Sequence, residues 1–437
     1  MVDATYRALT RGVSAAVLAL ALAGCNGGLI RGAVSKSPQS PGQDALAARP
    51  ERKVDGSAVI ADLAARHSVI PPGSGYDRIA RAVLAADAGT ARADLRVKKL
   101  TAEARSRNWL PSLGPSVSLT SLSSVATSLL LNQTLFDFGR RKAEREYAVA
   151  DVEVAAVNLS VDANKRVYEA LSLYVEAEAA RARAGVARDA LTRLAEFDRI
   201  MSLRVRGGVS NMSEQTVLKQ KLNEMQATLQ ADRDAEMLAA AELDAMAQAP
   251  VSASAGLTQL PGAMPGVTPL AVHLAEAQKE RTLAELKVSR ADYLPGLGAS
   301  TDIGKGGIGV SGGIENGLGL GNRAALEAVT AGADAAVARV AQAGRDAARD
   351  KQALELKIAN LDRQETAQAE VARQMRDNLK RFEDQYKAGV RPLMDLVIQH
   401  ENLAAMERDL VNMRHERARA RLEIARDLGV LASGAGI

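Results

Sequence analysis

The sequence is poor in aromatic residues, in cysteine and in long apolar runs. Only 3% of its 437 residues are Phe, Trp or Tyr, and a large globular core normally needs such bulky side chains to fill its volume. A single cysteine excludes an intramolecular disulfide framework and any metal site built from several cysteines. The 56 basic and 52 acidic residues are interspersed, so we expect no nucleic-acid partner. These shortages favour long, closely packed helices.

A secretory signal occupies residues 1–24. Two arginines precede an apolar run over 13–23, which is too short to span a bilayer. The run ends in a Leu-Ala-Gly-Cys motif that resembles a bacterial lipobox, and its Cys25 is the only cysteine of the chain. We therefore predict a covalent lipid on Cys25 and no other cofactor. The alternative is an ordinary signal peptide with an incidental cysteine.

The residue after the lipobox indicates the membrane in which the protein is anchored, and the segment that follows it indicates how the anchor is connected to the fold. Asn26 stands where lipoproteins retained in the inner membrane usually carry aspartate, so we expect lipid anchoring in the outer membrane. From there to about Gly75 the chain is rich in Gly, Pro and Ser and has no sustained hydrophobic period. We interpret residues 25–75 as a lipid anchor and tether. No apolar stretch of 18 residues follows the signal, which excludes a transmembrane helix.

Two very long helices are predicted by the absence of proline. Residues 139–206 and 321–388 are proline-free and 68 residues long each, enough for rods of about 100 Å. Within the second span, apolar and some polar residues recur at alternating steps of four and three from Leu354 to Tyr386. A repeat of 3.5 residues keeps one seam against a partner helix. The sequence therefore predicts antiparallel coiled-coil packing.

The chain contains an internal repeat with a period of about 180 residues. Trp109-Leu-Pro-Ser-Leu-Gly matches Tyr293-Leu-Pro-Gly-Leu-Gly, and later landmarks follow at offsets of 183 and 181. Each half reads as a helix, a Leu-Pro break, an extended hairpin, a long helix, a Gly-Val turn and a returning helix. The first repeat is predicted over 76–269, with a hairpin at 112–138, a long helix at 139–206, a turn at 207–213, a return helix at 214–248 and a linker at 249–269. The second repeat is predicted over 270–430, with a hairpin at 296–320, a long helix at 321–388, a turn at 389–392 and a return helix at 393–430. Residues 431–437 are predicted to form a tail.

Two hairpins supply only four strands, and four strands cannot close a barrel. A membrane does not tolerate open strand edges, because no water satisfies their backbone groups. If the hairpins enter a membrane, several chains must share one barrel.

Three kinds of landmark stand in a fixed order and in duplicate spacing: the Leu-x-Asp-Phe-Gly-Arg motif over 135–140, the Leu-Pro breaks at 110–111 and 294–295, and the turns over 208–214 and 386–396. In these features the chain resembles the TolC family of outer-membrane efflux channels, over about residues 76–430. The resemblance implies a mainly α fold with a small β part, in which a homotrimer forms an α-barrel and a shared 12-stranded β-barrel. It also implies an outer-membrane exit duct for an efflux or type I secretion system, with a periplasmic adaptor and an inner-membrane pump as partners.

The resemblance assigns a gate to the two turns. Tyr386 and Arg391 on the second turn would face Glu214 and Ser213 on the first, and Asp395 would form an acidic ring at the pore constriction. Simpler roles remain open for three of these residues. Tyr386 continues the coiled-coil seam, and both acids lie where they favour a helix N-terminus.

The same resemblance places the adaptor contacts at Gly208, Val209, Gly389 and Val390. The two glycines serve as helix C-caps in any case. Three positions depart from the family pattern: Glu214 replaces aspartate, Pro392 enters the turn, and Ile398 stands where a second acid is expected.

No enzymatic site is predicted. A Gly-x-Gly-x-x-Gly pattern over 304–309 lies in a glycine-rich hairpin and opens no helix, so it does not indicate nucleotide binding. The four histidines are scattered and form no metal-ligand pattern. The competing hypothesis is a non-channel periplasmic scaffold of coiled coils, although a scaffold needs no pair of equivalent hairpins.

Overall fold

The computed structural model describes residues 56–121, 124–253, 255–261, 266–303, 307–313 and 321–436. Cys25 and the signal lie outside this part. A short 3₁₀ helix, Gly434–Gly436, ends the described chain. The helices are α1 (Ala58–Ala64), α2 (Gly75–Ala85), α3 (Thr90–Ser106), α4 (Arg140–Arg206), α5 (Met212–Ala247), α6 (Leu270–Ala291), α7 (Asn322–Lys387) and α8 (Leu393–Asp427), and the strands are β1 (Ser112–Ser121), β2 (Ser124–Phe136), β3 (Gly296–Ile303) and β4 (Gly307–Gly313).

Two unbroken rods dominate the structure. Helix α4 contains 67 residues and α7 contains 66, so each is about 100 Å long. A glycine precedes each rod, and internal glycines at 185, 332 and 344 do not interrupt them. The predicted mainly α fold with a small β part is confirmed.

The coiled-coil seam predicted on α7 faces its neighbours. Every seam position from Leu354 to Tyr386 is buried or half-buried, while nearly all positions between them are exposed. Its apolar members near the turns pack against α4 and α8 in one cluster. Glu365, a polar member, lies 2.6 Å from Arg414 and from Arg417 of α8. This polar position of the seam is therefore used for ion pairs between α7 and α8.

The helices form a wall with two open sides. Helix α4 packs against α3 and α5 and against α6 and α8, whereas α7 packs chiefly against α6 and α8. The order across the wall is α3 with α5, then α4, then α6 with α8, then α7. Apolar side chains are exposed on the elements at both sides: Val97 and Leu100 on α3, Met237 and Leu238 on α5, and Leu356 and Val371 on α7.

The four strands form one antiparallel sheet in the order β1-β2-β3-β4. Strand β2 pairs with β3, for example Leu129 with Ile303, so the two hairpins join into a single surface. Within the described residues, β1 and β4 each have a paired neighbour on one side only. The sheet is therefore open at two edges, and its edge strands are connected along the chain to α3 and α7, which lie at the two sides of the helical wall.

The two faces of the sheet differ in chemistry. Residues directly opposite each other in an antiparallel pair share a face, and successive residues alternate. None of the described helices packs across either face. One face carries mostly apolar side chains, namely Leu113, Leu129, Leu131, Leu297, Ala299, Ile308 and Val310 together with Gln133 and Thr301, and the other carries mostly small or polar ones, namely Ser112, Gly114, Asn132, Thr134, Gly296, Gly298, Ser300, Gly309 and Gly313 together with Leu130.

The segments before the first repeat and after the second, predicted as a tether and a tail, contribute to the buried core. Part of the segment predicted as a tether forms helix α1, whose Ser57 side chain caps its first turn and whose Leu63 is fully buried. The guanidinium of Arg66 donates to the carbonyls of Leu428 and Thr268, at 2.5 and 2.8 Å. The predicted tail is also packed, since Leu431 is buried. A seven-residue helix is too short to show a period, which is why the sequence did not predict α1.

No helix in the described residues is both long and apolar enough to cross a membrane.

Candidate functional site at the two helical turns

The two turns that carry the predicted site residues have the same backbone geometry. They follow α4 and α7, a full rod length from the sheet. Gly208 and Gly389 adopt left-handed φ values of 73° and 75°. The amide of Val209 donates to the carbonyl of Arg204 at 2.8 Å, and that of Val390 to Gln385 at 2.9 Å. With the glycine amides bonded to Val205 and Tyr386, each turn is a Schellman motif.

The left-handed glycine is the residue on which the first turn depends. We expect Gly208→Ala to destabilise this turn by about 1–2 kcal/mol, because a Cβ atom clashes in the left-handed region. Gly207→Ala is the matched control, since Gly207 has a right-handed φ of −80°. Thermal melting followed by circular dichroism, with limited proteolysis at the turn, measures both variants. Equal effects of the two substitutions would contradict the assignment.

A side-chain bond also closes each turn, with donor and acceptor exchanged between the repeats. In the first turn, Arg204 Nε donates to Ser210 Oγ at 3.1 Å. In the second, Arg391 Nε donates to Gln385 Oε1 at 2.6 Å. The four residues occupy equivalent positions at the offset of 181. Only the second turn therefore holds its arginine at the position that follows the Gly-Val pair.

Arg391 is held by three groups of its own hairpin. Besides Gln385, its guanidinium lies 3.8 Å from the centre of the Phe382 ring and its Nη1 donates to Asp395 Oδ2 at 3.2 Å. Cation–π and ion-pair contacts fix the direction of the side chain. The two predicted functional residues Arg391 and Asp395 are thus brought together, although the family resemblance assigns them different roles.

The other predicted gate residues are not brought to Arg391 within the described chain. Glu214 is half-buried, and its amide donates to Asn211 Oδ1 at 2.9 Å in the N-cap of α5. Ser213 is exposed. Tyr386 is half-buried and packs against the apolar cluster between the rods and α8. The proposed bonds from Tyr386 and Arg391 to the first turn stay a prediction.

The tips of both turns present apolar side chains. Val209 is 67% exposed and Val390 is 74% exposed. Each follows a glycine in the left-handed conformation. Two equivalent apolar points are therefore available to a partner at the same end of the molecule.

A charged network that the sequence analysis missed ties α4, α5 and α8 together between the turns and the sheet. Asp232 of α5 is only 6% exposed, lies 3.1 Å from Arg183 Nε of α4 and accepts a hydrogen bond from Arg408 of α8. Arg183 also lies 3.1 Å from Glu176, which Arg419 approaches to 2.8 Å.

These ion pairs lower the pKa of Glu176. Burial alone raises the pKa of Glu176, but hydrogen bonds from Arg183 and Arg419 outweigh it and hold the pKa below the ordinary value. The sequence contains a signal for Asp232, since this residue continues the steps of four and three that Leu218, Leu222, Met225 and Leu229 follow along the chain. In the described residues, no group of three or more His, Cys, Asp and Glu side chains is arranged to hold a metal ion.

No protein-family model matches the sequence, and no curated protein matches it. Solved structures do match. A membrane protein from Pseudomonas aeruginosa is 17% identical with a TM-score of 0.72, and the match covers 82% of this chain and 93% of that one. The outer-membrane channel OprN is 17% identical with a TM-score of 0.70, and the match covers 87% of this chain and 98% of that one. The outer membrane protein VceC from Vibrio cholerae is 17% identical with a TM-score of 0.70, and the match covers 81% of this chain and 96% of that one.

At this level of identity the likeness establishes the fold. The chain has the architecture of an outer-membrane channel protein. The TolC-like fold that the duplicated motifs indicate is thus confirmed.

Proposed function

We propose that the protein is an outer-membrane channel: three chains enclose one duct through which solutes driven by an inner-membrane pump leave the cell. The observation that carries the proposal is the pair of open edges. Sheet and wall are each unpartnered on two sides, with β1 following α3 and β4 preceding α7, and the wall exposes apolar side chains at both of its sides. When identical chains are arranged around a rotation axis, the open edge on one side of each chain pairs with the opposite edge of its neighbour, so that no edge stays unpaired.

The sheet has the surface expected of a barrel wall in a membrane. Its mostly apolar face would meet lipid, and its face of glycine, serine and asparagine would line water. A scaffold in the periplasm would leave the apolar face in contact with water, which costs about 25 cal/mol per Å². The chemistry of the sheet therefore favours a channel over the scaffold.

The helical wall has the dimensions of a duct across the periplasm. Rods of about 100 Å would reach from the membrane to the level of an adaptor. We propose that the exposed valines beside Gly208 and Gly389 receive a periplasmic adaptor, which connects the duct to the pump. The lipid on Cys25 would add a second attachment to the outer membrane.

The number of chains and the conductance test this proposal. The full-length protein purified in detergent should have the mass of three chains and should form ion-conducting pores in planar bilayers. A variant that lacks residues 296–313 is the matched control, because it removes two of the four strands and should conduct nothing. A single chain without conductance would support the scaffold instead.

A further inference from the structure

A nearly buried histidine lies between the rods just above the second turn. His400 belongs to α8, and its side chain is only 12% exposed. The ring centre lies 5.2 Å from that of Phe197 on α4, and Nε2 lies 3.6 Å from Glu383 Oε1 on α7. The contact with Glu383 is just beyond normal hydrogen-bond length, and among the residues that the structure describes Nε2 has no shorter polar partner. The imidazole thus contacts three helices, through ring packing with Phe197 and a long polar contact with Glu383.

The charges around His400 do not compensate for its burial. Glu383 on α7 favours the protonated ring and Arg193 on α4 opposes it. The adjacent acid, Glu401, is engaged by Lys221 of α5, with the two side chains 2.8 Å apart. Burial is the largest effect and holds the pKa of His400 below its ordinary value. In the packed arrangement the ring is therefore neutral near pH 7.

Protonation acts against this packing. A histidine whose pKa is lowered in the packed state binds its proton more readily when the helices separate. The contribution of the neutral ring to stability is complete above the ordinary histidine pKa of about 6.5 and declines as the pH falls below it. Acid consequently favours a state in which α4, α7 and α8 have moved apart around His400.

We propose that His400 is an acid-sensitive element that loosens the helices beside the turns and so opens the narrow end of the duct at low pH. The proposal rests on the channel function proposed above. Its position supports it, since His400 lies five residues beyond Asp395 on the same helix. Loosening there would release the hairpin that holds Arg391.

The other histidines provide internal controls, because the chain contains only four. His415 lies on the same helix, about 22 Å farther from the turn. Its pKa is also lowered, chiefly by burial, although its Nδ1 lies 2.7 Å from the carbonyl oxygen of Val411. His415 therefore tests whether any buried histidine suffices or whether the place beside the turn matters.

Bilayer conductance at about pH 7.5 and pH 5.5 is the first test. For the natural protein we expect the open fraction to rise at least about threefold on acidification. His400→Gln should remove this rise, because an amide takes up no proton, whereas His415→Gln should retain it. A pH-independent natural channel, or an undiminished rise in His400→Gln, would overturn the proposal.

Hydrogen exchange separates a failure of this proposal from a failure of the channel function. After correction for intrinsic exchange rates, peptides over 193–205 and 379–400 should lose protection at acidic pH in the natural protein and keep it in His400→Gln. This readout needs no conductance. If a conducting trimer kept its protection at acidic pH, the role proposed for His400 would be refuted and the channel function would stand. If a single chain without conductance lost protection at acidic pH, the channel function would be refuted and the acid sensitivity of His400 would stand.

Discussion

Replacing Asp232 with asparagine is expected to destabilise the protein by about 3 kcal/mol. Breaking a buried ion pair by removing one partner typically costs 3–5 kcal/mol, and the arginines here are partly exposed, which favours the lower end. The amide would keep the volume of the side chain but would direct an N–H group toward arginine donors. Arg183 and Arg408 would then lose the acid that separates their charges.

Denaturant unfolding followed by circular dichroism measures this effect. Asp234→Asn is the matched control, because Asp234 lies on the same helix, is exposed and accepts a bond from Gln230. We expect a change of no more than about 0.5 kcal/mol for the control. A second variant, Asp232→Asn with Arg408→Gln, should recover part of the loss because one unpaired charge is gone. Equal stability of Asp232→Asn and Asp234→Asn would show that the network contributes little.

Arg391→Ser combined with Tyr386→Phe is expected to raise the single-channel conductance. Arg391 holds Gln385, Phe382 and Asp395 in one hairpin, and its loss releases all three. A partly exposed bond of this kind contributes about 1 kcal/mol, which corresponds to a factor of about five in the ratio of open to closed forms and so raises the time-averaged conductance of one channel. The carboxylate of Asp395 would also lose its partner, so selectivity for cations should increase.

Planar-bilayer recordings of conductance and reversal potential test this prediction. Lys387→Ser is the control, because it removes the same charge from the same turn but breaks only a surface pair with Asp384 at 3.7 Å. Tyr386→Phe alone separates the two roles considered for Tyr386. A packing role predicts no change on losing the hydroxyl, whereas a hydrogen bond across the gate predicts a partial opening. An unchanged conductance in the double variant would contradict the gate assignment.

The residues that end and reverse helices could be recognised without a structure. Pro111 and Pro295 remove a backbone donor and clash with the preceding turn, so a helix must stop near them in any tertiary context. Gly208 and Gly389 permit the left-handed conformation that closes a Schellman motif, and the structure shows this conformation at both. Local sterics therefore led to the correct order of elements along the chain.

The partners of the charged residues could not be recognised in the same way. Asp232 and Arg408 are 176 positions apart, and a long arginine side chain can reach several neighbouring helices. The family resemblance implies bonds from Arg391 to Glu214 and Ser213, which stay a prediction, and it gives no indication of the contacts with Gln385, Phe382 and Asp395 within the folded chain. Side-chain pairing depends on the rotation and offset of packed helices, which a hydrophobic period specifies only loosely.

The sequence by itself determined the elements of this protein: two proline-free rods, two hairpins, two Gly-Val turns and their duplication. These features depend on backbone sterics and on hydrophobic spacing, which act over a few residues at a time. Only the tertiary structure decided which face of the sheet is apolar, which charges meet between helices and that His400 is nearly buried beside the second turn. Such properties arise when residues distant in the chain are packed together, because register and burial exist only after the helices and strands have assembled.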